Sequence, residues 1–147
     1  FQWYALLKRQ VVAHFTNQLG YSASYLGSHE FDGGDKEYNR FIKSVSYPML
    51  ACNLDLSNNS LIKGVIESFQ LLTITFKEIT RTVGITGYVT PQKKNISNSD
   101  DGVIFLDEIT SLQDQVDKLK LKGIDIIIAI GHSGYKKDME IARKVSM

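Results

Sequence analysis

Two short apolar runs, each followed at once by glycine and histidine, constrain the fold of this 147-residue chain most strongly. Residues 21–26 lead into Gly27-Ser-His29, and residues 124–130 lead into Gly131-His132. Both runs predict short buried strands. In open α/β folds, ligands bind outside the carboxyl ends of strands, so the sequence predicts a site where these two strands end.

Helical and strand patterns alternate along the chain. Apolar spacing predicts four helices. The first has Leu7, Val11, Phe15 and Leu19 on one face and ends at Gly20, and the second covers 35–45 with Tyr38, Phe41 and Ile42 facing inward. The third covers 107–122, and the last bears Met139, Ala142 and Val145. Strands are predicted over 22–26, 49–54, 68–76, 82–89 and 124–130, and the third and fourth of these form an antiparallel pair. Residues 53–60 and 92–101 are expected to be polar loops. This order predicts one α/β domain with a largely buried sheet.

Composition narrows the function classes. The formal net charge is +1, so nothing in it favours nucleic acid or a membrane surface as a partner. Apolar runs such as 126–130 fall far short of the ~20 residues that a membrane span needs. Cys52 is the single cysteine and has no partner for an internal disulfide. Asn58 and Asn95 each begin an Asn-x-Ser glycosylation sequon in a predicted loop, which is a weak indication of secretion.

Two of the three histidines carry the candidate chemistry. His29 and Asp32 are three residues apart on a glycine-flanked loop, and a carboxylate beside an imidazole fixes its tautomer and favours its protonated form. This suits a general acid or electrostatic stabiliser, although the spacing fits a structural loop histidine equally well. His132 suits a neutral metal ligand, although a histidine just after a strand is more often structural. His14 is expected to be a solvated residue on the first helix.

Several motifs carry a resemblance to a known family. Gly27-Ser-His-Glu-Phe-Asp-Gly33 resembles the Gly-Asn-His-Glu-Phe-Asp motif of the 5′-nucleotidase family of metallophosphoesterases. In the family's order, Tyr47-Pro-Met-Leu-Ala-Cys-Asn53 is similar to its Phe-Pro-x-Leu-x-x-Asn strand, residues 83–91 to its Val-Gly-Ile-Ile-Gly-Tyr-x-Thr segment, and residues 126–135 to its Ile-Ile-x-Leu-Gly-His-Ser-Gly-Tyr segment. Residues 12–17 and 107–120 also resemble family stretches. The resemblance is strongest to secreted animal ecto-5′-nucleotidases and to the salivary apyrases of blood-feeding arthropods.

The resemblance implies a fold and a site. The fold is a calcineurin-like metallophosphoesterase sandwich of mixed sheets flanked by helices, with two metals at the strand ends. His29 is then the catalytic histidine that steadies the transferring phosphoryl group, Asp32 orients it, and His132 is a metal ligand. Two divalent ions are implied, with zinc favoured over magnesium, manganese or calcium. The implied substrate is a nucleotide (AMP, ADP or ATP), and the implied location is extracellular or at the cell surface.

Ser28 departs from the family motif, which has an asparagine whose amide oxygen serves the metal site. A serine hydroxyl is shorter, so Ser28 is expected to be a weak metal ligand. By the same resemblance, residues 1–147 form an internal part of the N-terminal metallophosphoesterase domain, incomplete at both ends and lacking the C-terminal nucleotide-binding domain. The isolated chain is therefore expected to show little hydrolase activity, and any membrane anchor would lie outside it.

Three functions stay open at this point. The first is a metal-dependent hydrolase of the 5′-nucleotidase or apyrase type that cleaves phosphate from nucleotides. The second is a catalytically impaired relative that binds a nucleotide or another small ligand, which Ser28 favours, together with Ser22 where the family usually has aspartate. The third is an α/β domain whose histidines are only structural, and the ordered motif matches weigh against it. Oligomeric state and the choice between mono- and di- or triphosphates stay open.

Overall fold

The computed structural model describes residues 2–27, 31, 33–91 and 102–147. The helices are α1 Gln2–Gln18, α2 Gly34–Ile42, α3 Glu108–Leu121 and α4 Tyr135–Lys144. The strands are β1 Ser24–Tyr25, β2 Met49–Leu50, β3 Leu54–Asp55, β4 Ile66–Glu67, β5 Phe69–Phe76, β6 Ile79–Val89, β7 Ile104–Phe105 and β8 Ile126–His132. A run of strands, β2 to β7, separates helices α1 and α2 from α3 and α4. The α/β class expected from the sequence is confirmed.

The strands form mixed sheets. The largest sheet has the order β5-β6-β8, in which β6 is antiparallel to β5 and parallel to β8. A second sheet, β1-β2-β4, is wholly parallel. A short antiparallel pair joins β3 to β7. The antiparallel pairing predicted for residues 68–76 and 82–89 is therefore confirmed, and β6 begins three residues earlier than expected, at Ile79.

Strand β6 is the centre of the fold because both of its faces are covered near its carboxyl end. On one face, Val83 and Ile85 cluster with Leu50 of β2. On the other face, Tyr88 packs against Leu112 and Val116 of α3 and against α4. Fully burying a side chain such as Leu112 is worth about 1.5–3 kcal/mol. This packing fixes β2, β8 and two helices relative to one strand.

A third cluster lies beneath helix α2. Tyr38 is almost wholly buried, its ring lies 4.9 Å from that of Phe31 between centroids, and Phe41 and Ile42 pack against the same cluster. The inward face predicted for this helix is therefore confirmed. Gly20, with a φ of 66°, follows the end of α1 as expected, in a backbone conformation that glycine adopts without strain.

Helix α3 begins at a side-chain cap. The Asp107 carboxylate accepts a hydrogen bond of 2.8 Å from the backbone N–H of Thr110. This bond holds the pKa of Asp107 below its usual range. A cap of this kind is worth about 1 kcal/mol, which explains why the helix starts where its charged and apolar pattern begins.

The strand expected over residues 49–54 is wrong in its length, because the chain bends after β2. The Ala51 N–H donates to Glu67 O at 2.9 Å, and the Cys52 N–H donates to Gly87 O at 2.7 Å. These two bonds turn the backbone from one sheet toward another, and β3 starts only at Leu54. The loop expected over 53–60 is also less exposed to solvent than its polar sequence indicates, because Asn53 and Asn59 are buried.

Some apolar faces differ from the sequence expectation. In α1, Ala13 is buried whereas Phe15 is exposed, and Leu19, just after the helix, is exposed as well. Ile141 of α4 and Val145, just after it, face the core because they pack with Tyr88, while Met139 and Ala142 of α4 are exposed. The outer positions Ile126 and Ile128 of β8 are also exposed, so this edge of the sheet is less buried than expected. The loop expected over 92–101 lies outside the described residues.

Candidate active site

The candidate site lies where β1 and β8 end side by side. The ring of Tyr25, the last residue of β1, meets the ring of His132, the last residue of β8, edge to face with 6.5 Å between centroids. Leu26 and Gly27 come next and lead into the motif residues that start at Ser28. The two strand ends that the sequence singled out are therefore neighbours in the fold.

Ser28, His29 and Asp32 lie outside the described residues. The expectation that His29 and His132 face a common cleft, and the roles expected for Ser28, His29 and Asp32, therefore stay predictions. Two described residues, one before Ser28 and one between His29 and Asp32, are buried. Leu26 is wholly buried and its N–H donates to Leu50 O at 3.4 Å, and Phe31 is wholly buried in the cluster under α2.

His132 is the one predicted site residue whose surroundings are described. The sequence places it just past a strand, but it is the final residue of β8 and pairs with Val89 of β6. Its side chain is exposed, and its ring makes no hydrogen bond to a described residue. An exposed imidazole whose backbone is held by a sheet ladder is suited to bind a metal ion. His14, by contrast, lies exposed on α1 beside Gln18, as expected.

Asn53 holds the strand end beside His132. It is wholly buried, its Nδ2 donates to Val89 O at 2.7 Å, and its Oδ1 accepts from the Val89 N–H at 3.0 Å. Nδ2 also donates to Leu106 O at 3.0 Å. One side chain thus satisfies both backbone groups of the residue that pairs with His132. Leaving such groups unsatisfied in the interior would cost about 1–3 kcal/mol each.

A buried polar pair holds the start of helix α2. Asp35, in the first turn of α2, accepts a hydrogen bond from Asn59 Nδ2, and both side chains are buried. Asn59 Oδ1 in turn accepts from the backbone N–H groups of Leu61 and Ile62 at 3.1 and 3.2 Å. The start of α2, directly after the histidine motif, is therefore fixed to the turn before β4.

Tyr88 supports the turn after β8. Its hydroxyl donates to Asp138 Oδ1 of α4 at 3.1 Å, and its ring lies against Gly131, where an added Cβ would fall 2.6 Å from ring atoms. Burial, reinforced by the bond to Asp138, raises the pKa of Tyr88, so its hydroxyl remains a donor. Sequence reasoning missed Tyr88 and Asn53 as supports. The signal was weak: each is one polar group at the end of an apolar run.

Cys52 lies near these supports but is not a candidate nucleophile. Burial raises the pKa of its thiol to about 11, so the reactive thiolate is scarce near neutral pH. Within residues 2–27, 31, 33–91 and 102–147, no three His, Cys, Asp or Glu side chains are grouped so that they could hold a metal. Of the expected ligands, His132 fits the role by its chemistry and exposure, and Ser28 lies outside the described residues.

Known proteins of two kinds match the chain. The curated bovine (Bos taurus) 5′-nucleotidase is 40% identical over 146 residues, which is 97% of this chain and 25% of that protein. A snake venom 5′-nucleotidase from Naja atra is 36% identical over 148 residues, covering 97% of this chain and 27% of the relative. The chain thus spans about a quarter of the length of these relatives. No family model matches the chain.

Solved structures share the fold. The 5′-nucleotidase precursor from Thermus thermophilus superposes with a TM-score of 0.89 at 31% identity, covering 97% of this chain and 27% of that one. A calcineurin-like phosphoesterase from Bacillus subtilis superposes with a TM-score of 0.70 at 24% identity, covering 92% and 45%. The fold is therefore that of the calcineurin-like phosphoesterases. Together with the curated relatives, these matches show that the chain belongs to the 5′-nucleotidase family.

Proposed function

We propose that this chain is part of a metal-dependent hydrolase that cleaves phosphate from nucleotides, of the 5′-nucleotidase or apyrase type. The observation that carries the proposal is the exposed His132 imidazole, held at the end of β8 beside the strand that leads into the Gly27–Gly33 motif. Similarity over 97% of the chain to proteins named 5′-nucleotidase supports it. The substrate proposed is AMP, ADP or ATP.

The proposed roles divide the site between metal and phosphate. His132 and, more weakly, Ser28 contribute metal ligands; His29 stabilises the charge on the transferring phosphoryl group, and Asp32 holds the imidazole of His29 in place. Two divalent ions, zinc by preference, would supply a nucleophile from water at neutral pH and neutralise phosphate charge. Asn53 and Tyr88 keep the end of β8 rigid, which a pre-organised ligand needs.

The alternative function is a catalytically impaired relative that binds a nucleotide without cleaving it. Ser28 favours this alternative, because the family motif has an amide oxygen where this chain has a shorter hydroxyl. The two functions differ in turnover and in their response to metal.

Metal-dependent phosphate release from the full-length protein tests the proposal. After chelation, we expect no release from AMP, ADP or ATP, and we expect recovery when zinc, manganese, magnesium or calcium is returned. Ser28→Asn is expected to raise turnover and to lower the metal concentration needed for half-maximal rate, whereas Ser28→Ala lowers turnover. Nucleotide binding without phosphate release in wild type and Ser28→Asn alike would establish the non-catalytic alternative. Identical metal titrations of all three forms, with measurable turnover, would show that Ser28 is not a ligand.

We also propose an extracellular or cell-surface location, which the name of the venom relative supports. Of the two sequons, the one at Asn58 is described by the structure: Asn58 and Ser60 are exposed on a turn, and no described residue forms a hydrogen bond with the Asn58 side chain. Within the described helices, none combines the length and hydropathy needed to cross a bilayer.

Asn58→Gln is expected to remove one N-linked glycan from the full-length protein made in a secreting eukaryotic cell, because it deletes the acceptor amide. Ser60→Ala should remove the same glycan, whereas the neighbouring Ser57→Ala should leave it in place. The measurement is gel mobility before and after glycosidase treatment. Equal mobility of Asn58→Gln and wild type, treated and untreated, would contradict glycosylation at this turn.

A further inference from the structure

One tyrosine, Tyr88, packs against the segment that contains His132. Tyr88 and Gly131 are register partners in the parallel pairing of β6 with β8, so their side-chain positions lie on the same face of the sheet. The ring of Tyr88 fills the space over Gly131, and a Cβ there would approach three ring atoms at 2.6 Å. His132 follows and points to the opposite face, where it meets Tyr25.

The hydroxyl of Tyr88 also contacts the next helix, α4. It donates to Asp138 in the first turn of α4, at 3.1 Å. Between these two anchors the chain passes through His132 and then Gly134, whose φ of 85° makes the turn into α4. Tyr88 therefore contacts the chain on both sides of His132, at Gly131 and at Asp138.

We propose that Tyr88 is a positioning residue that sets the metal affinity of His132 through Gly131 and Asp138. This inference rests on the proposed function, in which His132 is a metal ligand. Residues that orient a ligand without contacting the metal commonly change metal affinity about 10–100-fold when they are removed. The ring and the hydroxyl have separate roles. The ring sets the distance between β8 and the helices packed beneath it, and the hydroxyl fixes the start of α4.

The test is zinc affinity of the full-length protein, measured by competition with a chromophoric chelator. Tyr88→Phe keeps the ring and removes only the hydroxyl, and we expect the zinc dissociation constant to rise about tenfold, the lower end of that range. Asp138→Asn keeps an oxygen acceptor and should stay close to wild type, while Asp138→Leu should match Tyr88→Phe. The double variant Tyr88→Phe/Asp138→Leu should be no weaker than either single change, because both remove the same bond. At saturating zinc, kcat of Tyr88→Phe should return to nearly that of wild type.

A matched control separates positioning from stability. Thr86 lies on the same strand and face, and its hydroxyl donates to Ser68 O at 2.8 Å. Thr86→Val therefore removes a comparable hydrogen bond and should lower the thermal midpoint of the apo protein as much as Tyr88→Phe does, with unchanged zinc affinity. Equal zinc affinity of Tyr88→Phe and wild type, with only the midpoint lowered, would overturn the inference while leaving the proposed function intact. Failure of the wild-type protein to bind any divalent metal would overturn both.

Discussion

His132→Ala in the full-length protein is expected to lose metal first, whereas His29→Ala is expected to keep its metal and lose turnover. His132 ends β8 with an exposed imidazole that no described residue engages in a hydrogen bond, which leaves a ring nitrogen for a metal ion. If the proposed two-metal site holds, its removal should release about one metal ion. The role proposed for His29 is on the phosphoryl group, and removing one such donor lowers kcat by about 10²–10³-fold. Elemental analysis and turnover of the same preparations distinguish the two effects.

His14→Ala is the control for this pair, since His14 lies exposed on α1 beside Gln18, and its loss should change neither metal content nor kcat. Equal metal loss in His132→Ala and His29→Ala would contradict the proposed division of roles. A further informative result is recovery of His132→Ala at high zinc without recovery of His29→Ala. That pattern follows only if the first change weakens a metal site and the second removes a group that acts on phosphate.

Much of the fold was predictable because its signals are local. The spacing of Leu112, Val116 and Leu119 predicts the buried face of α3, and these side chains are wholly buried. The sequence predicts an antiparallel pair over 68–76 and 82–89, and β5 and β6 form one. The break between β2 and β3 was not predictable, since residues 49–52 are continuously apolar and the bend comes from bonds to other strands.

In the candidate site, too, some residues could be predicted from the sequence and others could not. His132 was identifiable because a glycine-histidine pair after an apolar strand is a local pattern. Asn53 was expected to open a polar loop, yet it is wholly buried, because its amide satisfies both backbone groups of Val89. Its role depends on which strand lies beside it, and a single sequence does not state that. The same is true of Tyr88, whose partners Gly131 and Asp138 are brought to it by the β6–β8 pairing.

The geometry that brings the two strand ends together depends on one glycine of β6. At Gly87, the backbones of β6 and β2 come so close that an added Cβ would lie 2.2 Å from Leu50 O and 2.5 Å from Leu50 C. Gly87 O also accepts the Cys52 N–H at 2.7 Å, which turns the chain out of β2. The atoms in the way belong to backbone, so no rotamer change relieves the overlap. Any larger residue must push β2 away from β6.

Gly87→Ala is therefore expected to destabilise the full-length protein by about 3 kcal/mol or more, at the upper end of overpacking effects. Gly84→Ala is the matched control on the same strand. There the added Cβ would meet only side-chain atoms, at 3.1 Å from Leu119 and 3.2 Å from Ile124, which need to shift by only a few tenths of an ångström. It should cost about 1 kcal/mol or less. The comparison is made by thermal midpoint and yield of folded protein, and equal values for the two variants would contradict this expectation.

Because β2 pairs with β1 and β6 pairs with β8, the same displacement would separate Tyr25 from His132. Any Gly87→Ala protein that still folds should thus bind zinc more weakly than Gly84→Ala does.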